Sequence, residues 1–156
     1  MHIEPAAPDP ALAGLLPGAQ YADAFRAVSE LRSLDARSAA ERILGRTPAW
    51  MRALMGLRNG LVKPFGLKTG DAPELPHIGF FPVLDTSKTR VVVGFDDRHL
   101  DFRVVVEVLP APGQRRRITM TTLVHTHNLL GRIYLRLILP FHRLIVRVMM
   151  SRAERQ

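Results

Sequence analysis

The chain has 156 residues, a length that suits one domain and is short for two. Hydrophobic residues make up 47% and charged residues 23%, as in an ordinary globular protein, which argues against a largely disordered chain. Cysteine is absent, which excludes disulfides, thiolate metal sites and cysteine nucleophiles, and the net charge of +8 comes mainly from arginine.

The first 18 residues are rich in proline and glycine, which disfavour regular structure. We therefore expect residues 1–18 to form a flexible leader and residues 19–156 to form a single domain. The start of the chain lacks a basic segment followed by an apolar core, so no secretory signal is predicted and a cytoplasmic location is expected.

The segment Gln20 to Val28 alternates apolar with polar or small residues and predicts a first strand. The sequence Ser38-Ala39-Ala40-Glu41 is typical of a capping box, so a short helix is expected there, with Gly45 closing it. Thr47-Pro48 predicts the start of a second short helix. Its buried stripe would be Trp50, Leu54, Leu57 and Leu61.

Four further strands are predicted after a proline-containing loop at residues 69–77. They cover Ile78 to Leu84, Thr89 to Phe95, Leu100 to Val108 and Ile118 to Thr126. Residues 100–108 show the clearest apolar-polar alternation of the chain. Because short turns join these strands, an antiparallel meander is expected.

The run Arg115-Arg116-Arg117 follows the turn between the last two strands. No aromatic residues are interleaved with it for base stacking, and the other arginines are spread along the chain. We interpret the run as a solvated hairpin tip and predict no dedicated nucleic-acid site, with binding to nucleic acid or a membrane surface as the alternative.

The last segment predicts a long helix that Asn128 caps and that ends near Arg152. A kink is expected at Pro140, and His142 is expected to bond the carbonyl that Pro140 leaves free. Gly131 is interpreted as allowing close packing on the sheet. Arginines interrupt the apolar stretch too often for a transmembrane span, at Arg132, Arg136, Arg143 and Arg147.

This order of elements predicts an α+β helix-grip fold, in which a curved antiparallel sheet wraps around the long C-terminal helix and two short helices follow the first strand. A curved sheet and a straight helix leave space between them, so we expect a pocket for a small apolar or amphipathic molecule. The predicted wall is Phe81, Val93, Phe102, Val104, Met120, Tyr134, Ile138 and Phe141. Arg58, Asn59 and Arg132 are expected to orient a polar group at the mouth.

Strand pairing predicts a polar cluster at one end of the sheet. If Val108 pairs with Ile118, Asp101 lies beside His125 and His99 beside His127. Four interpretations stay open: a polar outer face, an acid–base pair of Asp101 and His125, a contact with a subunit or partner, and a metal site. No metal or other cofactor is predicted, and His99, His125 and His127 are the candidate ligands for the metal interpretation.

Several segments resemble the bacterial domain-of-unknown-function 2867 family. They are Trp50…Leu57-Arg58-Asn59, Lys63-Pro64-Phe65-Gly66-Leu67-Lys68, Gly94-Phe95-Asp96-Asp97-Arg98-His99-Leu100-Asp101-Phe102-Arg103, His127-Asn128-Leu129-Leu130-Gly131-Arg132 and Pro140-Phe141-His142-Arg143. The resemblance runs from about Leu16 to Arg152 and implies a helix-grip domain similar to the START and birch-pollen-allergen superfamily. It supplies no catalytic residues.

The resemblance implies two further functions. Helix-grip relatives include cyclases, dehydratases and hydrolases, which by analogy favours an enzyme that uses Asp101 and His125. Family relatives often follow a Rossmann-type domain, which favours an accessory module that docks on a separately encoded NAD(P)-dependent reductase. This chain has no Gly-x-Gly-x-x-Gly motif, so NAD binding does not transfer. Homo-oligomerisation stays open.

Overall fold

The computed structural model of the chain describes residues 1–46, 49, 52 and 75–154. The strands are β1 (Ile3–Ala6), β2 (Tyr21–Ser29), β3 (His77–Ile78), β4 (Phe81–Thr86), β5 (Arg90–Asp96), β6 (Leu100–Ala111) and β7 (Arg115–Thr126). Helix α1 spans Ala36–Leu44 and helix α2 spans Leu129–Met150. Short 3₁₀ turns lie at Pro10–Leu15, Pro112–Gln114 and Ser151–Glu154.

The strands form a curved, open antiparallel sheet in the order β1-β2-β7-β6-β5-β4-β3. A short helix follows β2, and the long helix α2 ends the described chain. The predicted α+β, helix-grip-like architecture is confirmed. The second predicted short helix, from Thr47-Pro48, lies outside the described residues.

The predicted pairing of the two longest strands is confirmed. Val108 lies opposite Ile118, and Asp101 lies opposite His125. Local periodicity gave no reason to place β2 against β7, yet Tyr21 pairs with Val124 and Ser29 with Arg116. This contact brings the beginning of the domain beside its last strand, so β2 lies between β1 and β7 in the sheet.

The expectation that residues 1–18 lack regular structure is wrong. Strand β1 pairs with β2, and Pro5 is tolerated because β1 is an edge strand. Asp9 caps the 3₁₀ turn that Pro10 begins. Leu12 and Leu16 pack in a small core with Val92, Val105 and Leu123, on the sheet face opposite α2. The boundary between leader and domain at residue 18 stays a prediction.

Two local predictions also change. Helix α1 begins one residue after Asp35, whose carboxylate accepts from the Ser38 amide at 2.7 Å, so Asp35 and not Ser38 is the N-cap. Glu41 pairs with Arg37 one turn away and does not complete a capping box. Gly45 ends the helix as predicted.

The predicted strand from Ile78 to Leu84 is interrupted. Gly79 adopts φ +59°, a left-handed conformation that suits glycine, and separates β3 from β4. A Cβ atom there would lie 2.4 Å from the Leu44 carbonyl oxygen. The break therefore lets this edge of the sheet approach the end of α1.

The main core lies between the inner face of the sheet, α1 and the C-terminal end of α2. Its helical side includes Ile43 of α1 together with Val146, Met149 and Met150 of α2. At the other end of α2, a Cβ atom on Gly131 would lie 2.1 Å from the His99 carbonyl oxygen, so Gly131 allows close packing as predicted. Asn128 caps the helix by accepting from the Gly131 amide, also as predicted.

One face of α2 carries large apolar side chains that are exposed to solvent. They follow one another at steps of mostly three or four residues and so share a face. They are Leu130, Ile133, Leu137, Phe141, Leu144 and Val148. Neither described helix is long and apolar enough to cross a bilayer.

Candidate functional site

A cavity of about 380 Å³ lies between the inner face of the sheet and α2. Apolar side chains form almost all of its wall. The strands contribute residues that include Phe81, Phe95, Phe102, Val104, Met120 and Val124, and α2 contributes residues that include Tyr134, Ile138, Ile145 and Met149.

Six of the residues predicted for the wall line this cavity: Phe81, Phe102, Val104, Met120, Tyr134 and Ile138. Val93 is instead fully buried in the core. Phe141 does not line the cavity and is 63% exposed, because it lies on the outer face of α2 with Leu144 and Val148. Arg132 is exposed and is not among the lining residues, while Arg58 and Asn59 lie outside the described residues.

Three phenylalanine rings stiffen the sheet side of the cavity. Phe102 packs edge-on against Phe81, with ring centroids 5.8 Å apart, and against Phe95, with centroids 4.3 Å apart. Such edge-to-face contacts stabilise a fixed ring arrangement beyond the burial of apolar area. The wall around Phe102 is therefore a preformed surface.

A polar group that the sequence analysis missed stands at the cavity. We call Tyr21, Asp23 and His142 the inner triad. The Tyr21 hydroxyl donates to Asp23 Oδ2 at 2.8 Å, and His142 Nε2 bonds Asp23 Oδ1 at 3.1 Å. The Tyr21 and His142 rings meet edge-on, and both residues line the cavity. Burial raises the pKa of the Tyr21 hydroxyl well above its ordinary value, and Asp23 raises it further.

His142 therefore differs from its prediction, since its ring bonds a side chain on β2 and not the carbonyl left free by Pro140. One signal for the triad was present in the sequence. Asp23 is two residues from both Tyr21 and Phe25, so alternation along the strand predicts a carboxylate on the inward face of β2. The partner of that carboxylate is distant in sequence and depends on the fold.

His99 also lines the cavity, and only one of its two ring nitrogens has a hydrogen-bond partner among the described residues. Its Nδ1 lies 2.9 Å from Asn128 Nδ2, while Asn128 Oδ1 accepts from the Gly131 amide. The amide NH₂ must therefore donate to Nδ1, which leaves the hydrogen of the neutral ring on Nε2. That Nε2 is buried and has no hydrogen-bond partner among the residues that the structure describes.

The outer cluster consists of Asp101, His125 and His127. Asp101 Oδ2 lies 2.8 Å from His127 Nε2, and Asp101 Oδ1 accepts from the Asp97 amide at 3.0 Å. The ring centroids of His125 and His127 are 4.9 Å apart. Asp101 thus bonds His127 and not His125, although His125 is its register partner.

The outer cluster is separate from the cavity, which none of its three members lines. The proposed acid–base pair of Asp101 and His125 therefore has no place beside a ligand in this cavity. His99 is also apart from the cluster, since its ring bonds Asn128 and lines the cavity. The predicted backbone pairing of His99 with His127 is confirmed by a bond from the His127 amide to the His99 carbonyl.

A family model described as protein of unknown function, DUF2867, matches residues 15–149. The chain belongs to this family. Neither the search of curated proteins nor the search of solved structures returned a match.

Proposed function

We propose that this DUF2867 protein binds a small apolar or amphipathic molecule between the sheet and α2. The observation that supports the proposal is the cavity of about 380 Å³ with an almost entirely apolar wall. Ligand pockets commonly measure roughly 300–1,000 Å³ and combine an apolar lining with few polar anchors. Empty apolar space forfeits dispersion contacts, so an apolar occupant stabilises the surrounding fold.

The polar groups of the wall favour an amphipathic ligand over a purely apolar one. Within the described part of the chain, His99 Nε2 is a buried donor without an acceptor, which costs free energy until an acceptor approaches it. In the inner triad, His142 uses one ring nitrogen for Asp23 and keeps the other for a second partner. A carbonyl, carboxylate or hydroxyl group on the ligand matches these positions.

Native mass spectrometry of the purified protein tests first for a co-purifying small molecule. A direct test uses the amphipathic dye anilinonaphthalene sulfonate, whose fluorescence rises in apolar surroundings. Val104→Phe adds bulk to the cavity wall, and Thr122→Ile adds bulk at a second lining position in case the first variant does not fold. We expect each variant to weaken dye binding by more than about 10-fold, because the added side-chain atoms occupy space that the dye needs.

Leu144→Gln is the matched control, because Leu144 is 64% exposed on the outer face of α2 and does not line the cavity. Circular dichroism and thermal unfolding verify that each variant is folded. Dye binding that survives both cavity variants but disappears in Leu144→Gln would place the dye on the surface and overturn the proposal.

The outer face of α2 favours a second function, that of a docking module. This face carries a stripe of exposed apolar residues that includes Phe141, Leu144 and Val148. Four exposed arginines lie along the same helix, which has no acidic residue: Arg132, Arg136, Arg143 and Arg147. An apolar stripe beside cations is complementary to a partner surface with an apolar centre and an acidic rim.

We propose a Rossmann-type reductase as the occupant of this face, following the domain arrangement of relatives. Co-expression with reductases of this class from the source genome tests the idea. Complex formation that Phe141→Lys abolishes and the cavity variant Thr122→Ile leaves intact supports docking through α2. A complex that tolerates Phe141→Lys contradicts it, as does a stable homodimer in sedimentation that buries the same face.

A further inference from the structure

We propose that the outer cluster, Asp101, His125 and His127, is a binding site for a zinc ion. The ligand atoms of these three residues all lie within 4.8 Å of one another. Two imidazoles and one carboxylate form a donor set that zinc accepts. The site lies apart from the cavity, and the inference is independent of ligand binding there.

Strand geometry brings the three donors together without any loop. His125 is on β7, and His127 is the first residue after the end of that strand, so the two are two residues apart and their ring centroids lie 4.9 Å from each other. Asp101 on β6 is the direct register partner of His125. Zinc bonds of about 2.0–2.2 Å place ligand atoms roughly 3–4 Å apart, so small side-chain rotations convert the cluster into a coordination site.

A hydrogen bond from the backbone orients the Asp101 carboxylate. The Asp97 amide donates to Asp101 Oδ1 at 3.0 Å, which leaves Oδ2 directed to the histidines, 2.8 Å from His127 Nε2. Metal ligands are commonly oriented by a second hydrogen bond of this kind. The Asp97 amide gives the Asp101 carboxylate such a bond before any metal binds.

The charge balance permits a cation. Arg103 lies two residues beyond Asp101 on β6, but its guanidinium pairs with Asp96 at 2.7 Å and donates to the Phe102 carbonyl oxygen. Its positive charge is therefore compensated by another carboxylate. Asp101 keeps its own negative charge available to a metal ion.

The outer cluster is covered by the chain on the side of His125 and exposed to solvent on the side of His127. Gly18 lies against His125, since a Cβ atom there would be 3.6 Å from the His125 Cε1 atom. The His127 side chain is 38% exposed. Three protein ligands with one side open to water leave a fourth position for a water molecule, an arrangement found in zinc sites that bind or activate a small ligand.

A simple ion pair is the competing explanation, and His125 distinguishes the two. The bond between Asp101 and His127 needs no third residue. A zinc site needs His125 as well. Replacing His125 with glutamine therefore removes a metal ligand and leaves the ion pair in place.

Metal-free protein prepared with a chelator is titrated with Co²⁺, whose visible absorption reports coordination by protein ligands, and then with Zn²⁺. We expect one equivalent of Co²⁺ to bind and Zn²⁺ to displace it. His125→Gln and Asp101→Asn are each expected to weaken binding by more than about 10-fold, because each removes one of three ligands. Zn²⁺ is expected to raise the melting temperature of the wild type and not of these variants.

His77→Gln is the matched control, since His77 is exposed on β3, its Nδ1 bonds the Leu75 carbonyl oxygen, and it is not part of the outer cluster. Circular dichroism in chelator checks the fold, and His125→Asn replaces the glutamine variant if that variant is unfolded. Absence of stoichiometric Co²⁺ binding to the wild type overturns the proposal. Binding that persists in the folded His125 variant, or is lost in His77→Gln, overturns it as well.

Discussion

Asp23 and His142 join β2 to the middle of α2 through a bond of 3.1 Å between Oδ1 and Nε2. The other carboxylate oxygen accepts from the Tyr21 hydroxyl, so one acidic residue holds two side chains that line the cavity. Most of the rest of the cavity wall is apolar. The bond therefore links the helix to the sheet and places polar atoms at the cavity.

Removing the Asp23 carboxylate is expected to destabilise the fold. Asp23→Ala leaves the ring nitrogen of His142 and the hydroxyl of Tyr21 without their partner, and both hydrogen bonds are partly buried. We expect the free energy of unfolding to fall by about 1–3 kcal/mol. Urea denaturation followed by circular dichroism measures the change.

Asp85→Ala provides the comparison, since Asp85 forms an exposed pair with Arg90. Exposed pairs contribute about 0–1 kcal/mol, so this variant is expected to unfold close to the wild type. Equal stabilities of the two alanine variants would show that the inner triad contributes nothing beyond a surface pair.

Alkaline stability depends on Tyr21. Burial raises the pKa of its hydroxyl above the ordinary value of 10.0, and the folded state therefore favours the neutral phenol. This contribution is complete below pH 10 and is lost as the pH rises from there toward the raised pKa. We expect Tyr21→Phe to reduce the loss of unfolding free energy above pH 10, measured by urea denaturation across a pH series. An identical pH slope in both proteins would contradict the assignment.

Gly131 is expected to tolerate no side chain. A Cβ atom would meet the His99 carbonyl oxygen at 2.1 Å, and that oxygen belongs to the backbone and cannot rotate away. Gly131→Ala should lower stability by about 1–3 kcal/mol, the usual cost of overpacking. Gly14→Ala is the control, because nothing lies within 4 Å of its added Cβ. Melting temperatures that fall equally in both variants would argue against the close approach.

The N-terminus of α1 depends on Asp35. Its carboxylate accepts from the Ser38 amide, and this hydrogen bond holds the pKa of Asp35 below its ordinary value. Asp35→Ala is expected to cost about 1 kcal/mol, and Asp35→Asn considerably less because asparagine can also cap. Glu41→Gln should change stability by at most about 0.5 kcal/mol, since it disturbs only a pair one turn away. A larger effect of Glu41→Gln than of Asp35→Ala would restore the predicted capping box.

The long elements were predictable because their patterns are local. Alternation in β6, the cap at Asn128 and the apolar period of α2 each depend on neighbours within a few residues, and all three appear in the structure. The register of β6 on β7 could also be predicted from the sequence, since a short turn fixes which residues face each other.

The ends and breaks were less predictable. Prolines in residues 1–18 argued against regular structure, but an edge strand tolerates Pro5 and a 3₁₀ turn tolerates Pro10. Whether a segment becomes an edge strand depends on a free sheet edge elsewhere in the chain. Periodicity within the segment carries no information about that edge.

For the candidate site, the sequence alone determined which residues could share a strand face, including the apolar positions of β6 and the pair His125 and His127. Only the tertiary structure decided that Phe141 faces solvent, that Asp101 bonds His127, and that Asp23 meets His142. A helix pattern defines an apolar face but not its angle to the sheet, and side-chain pairs distant in sequence form only where strand order and helix rotation bring them into contact.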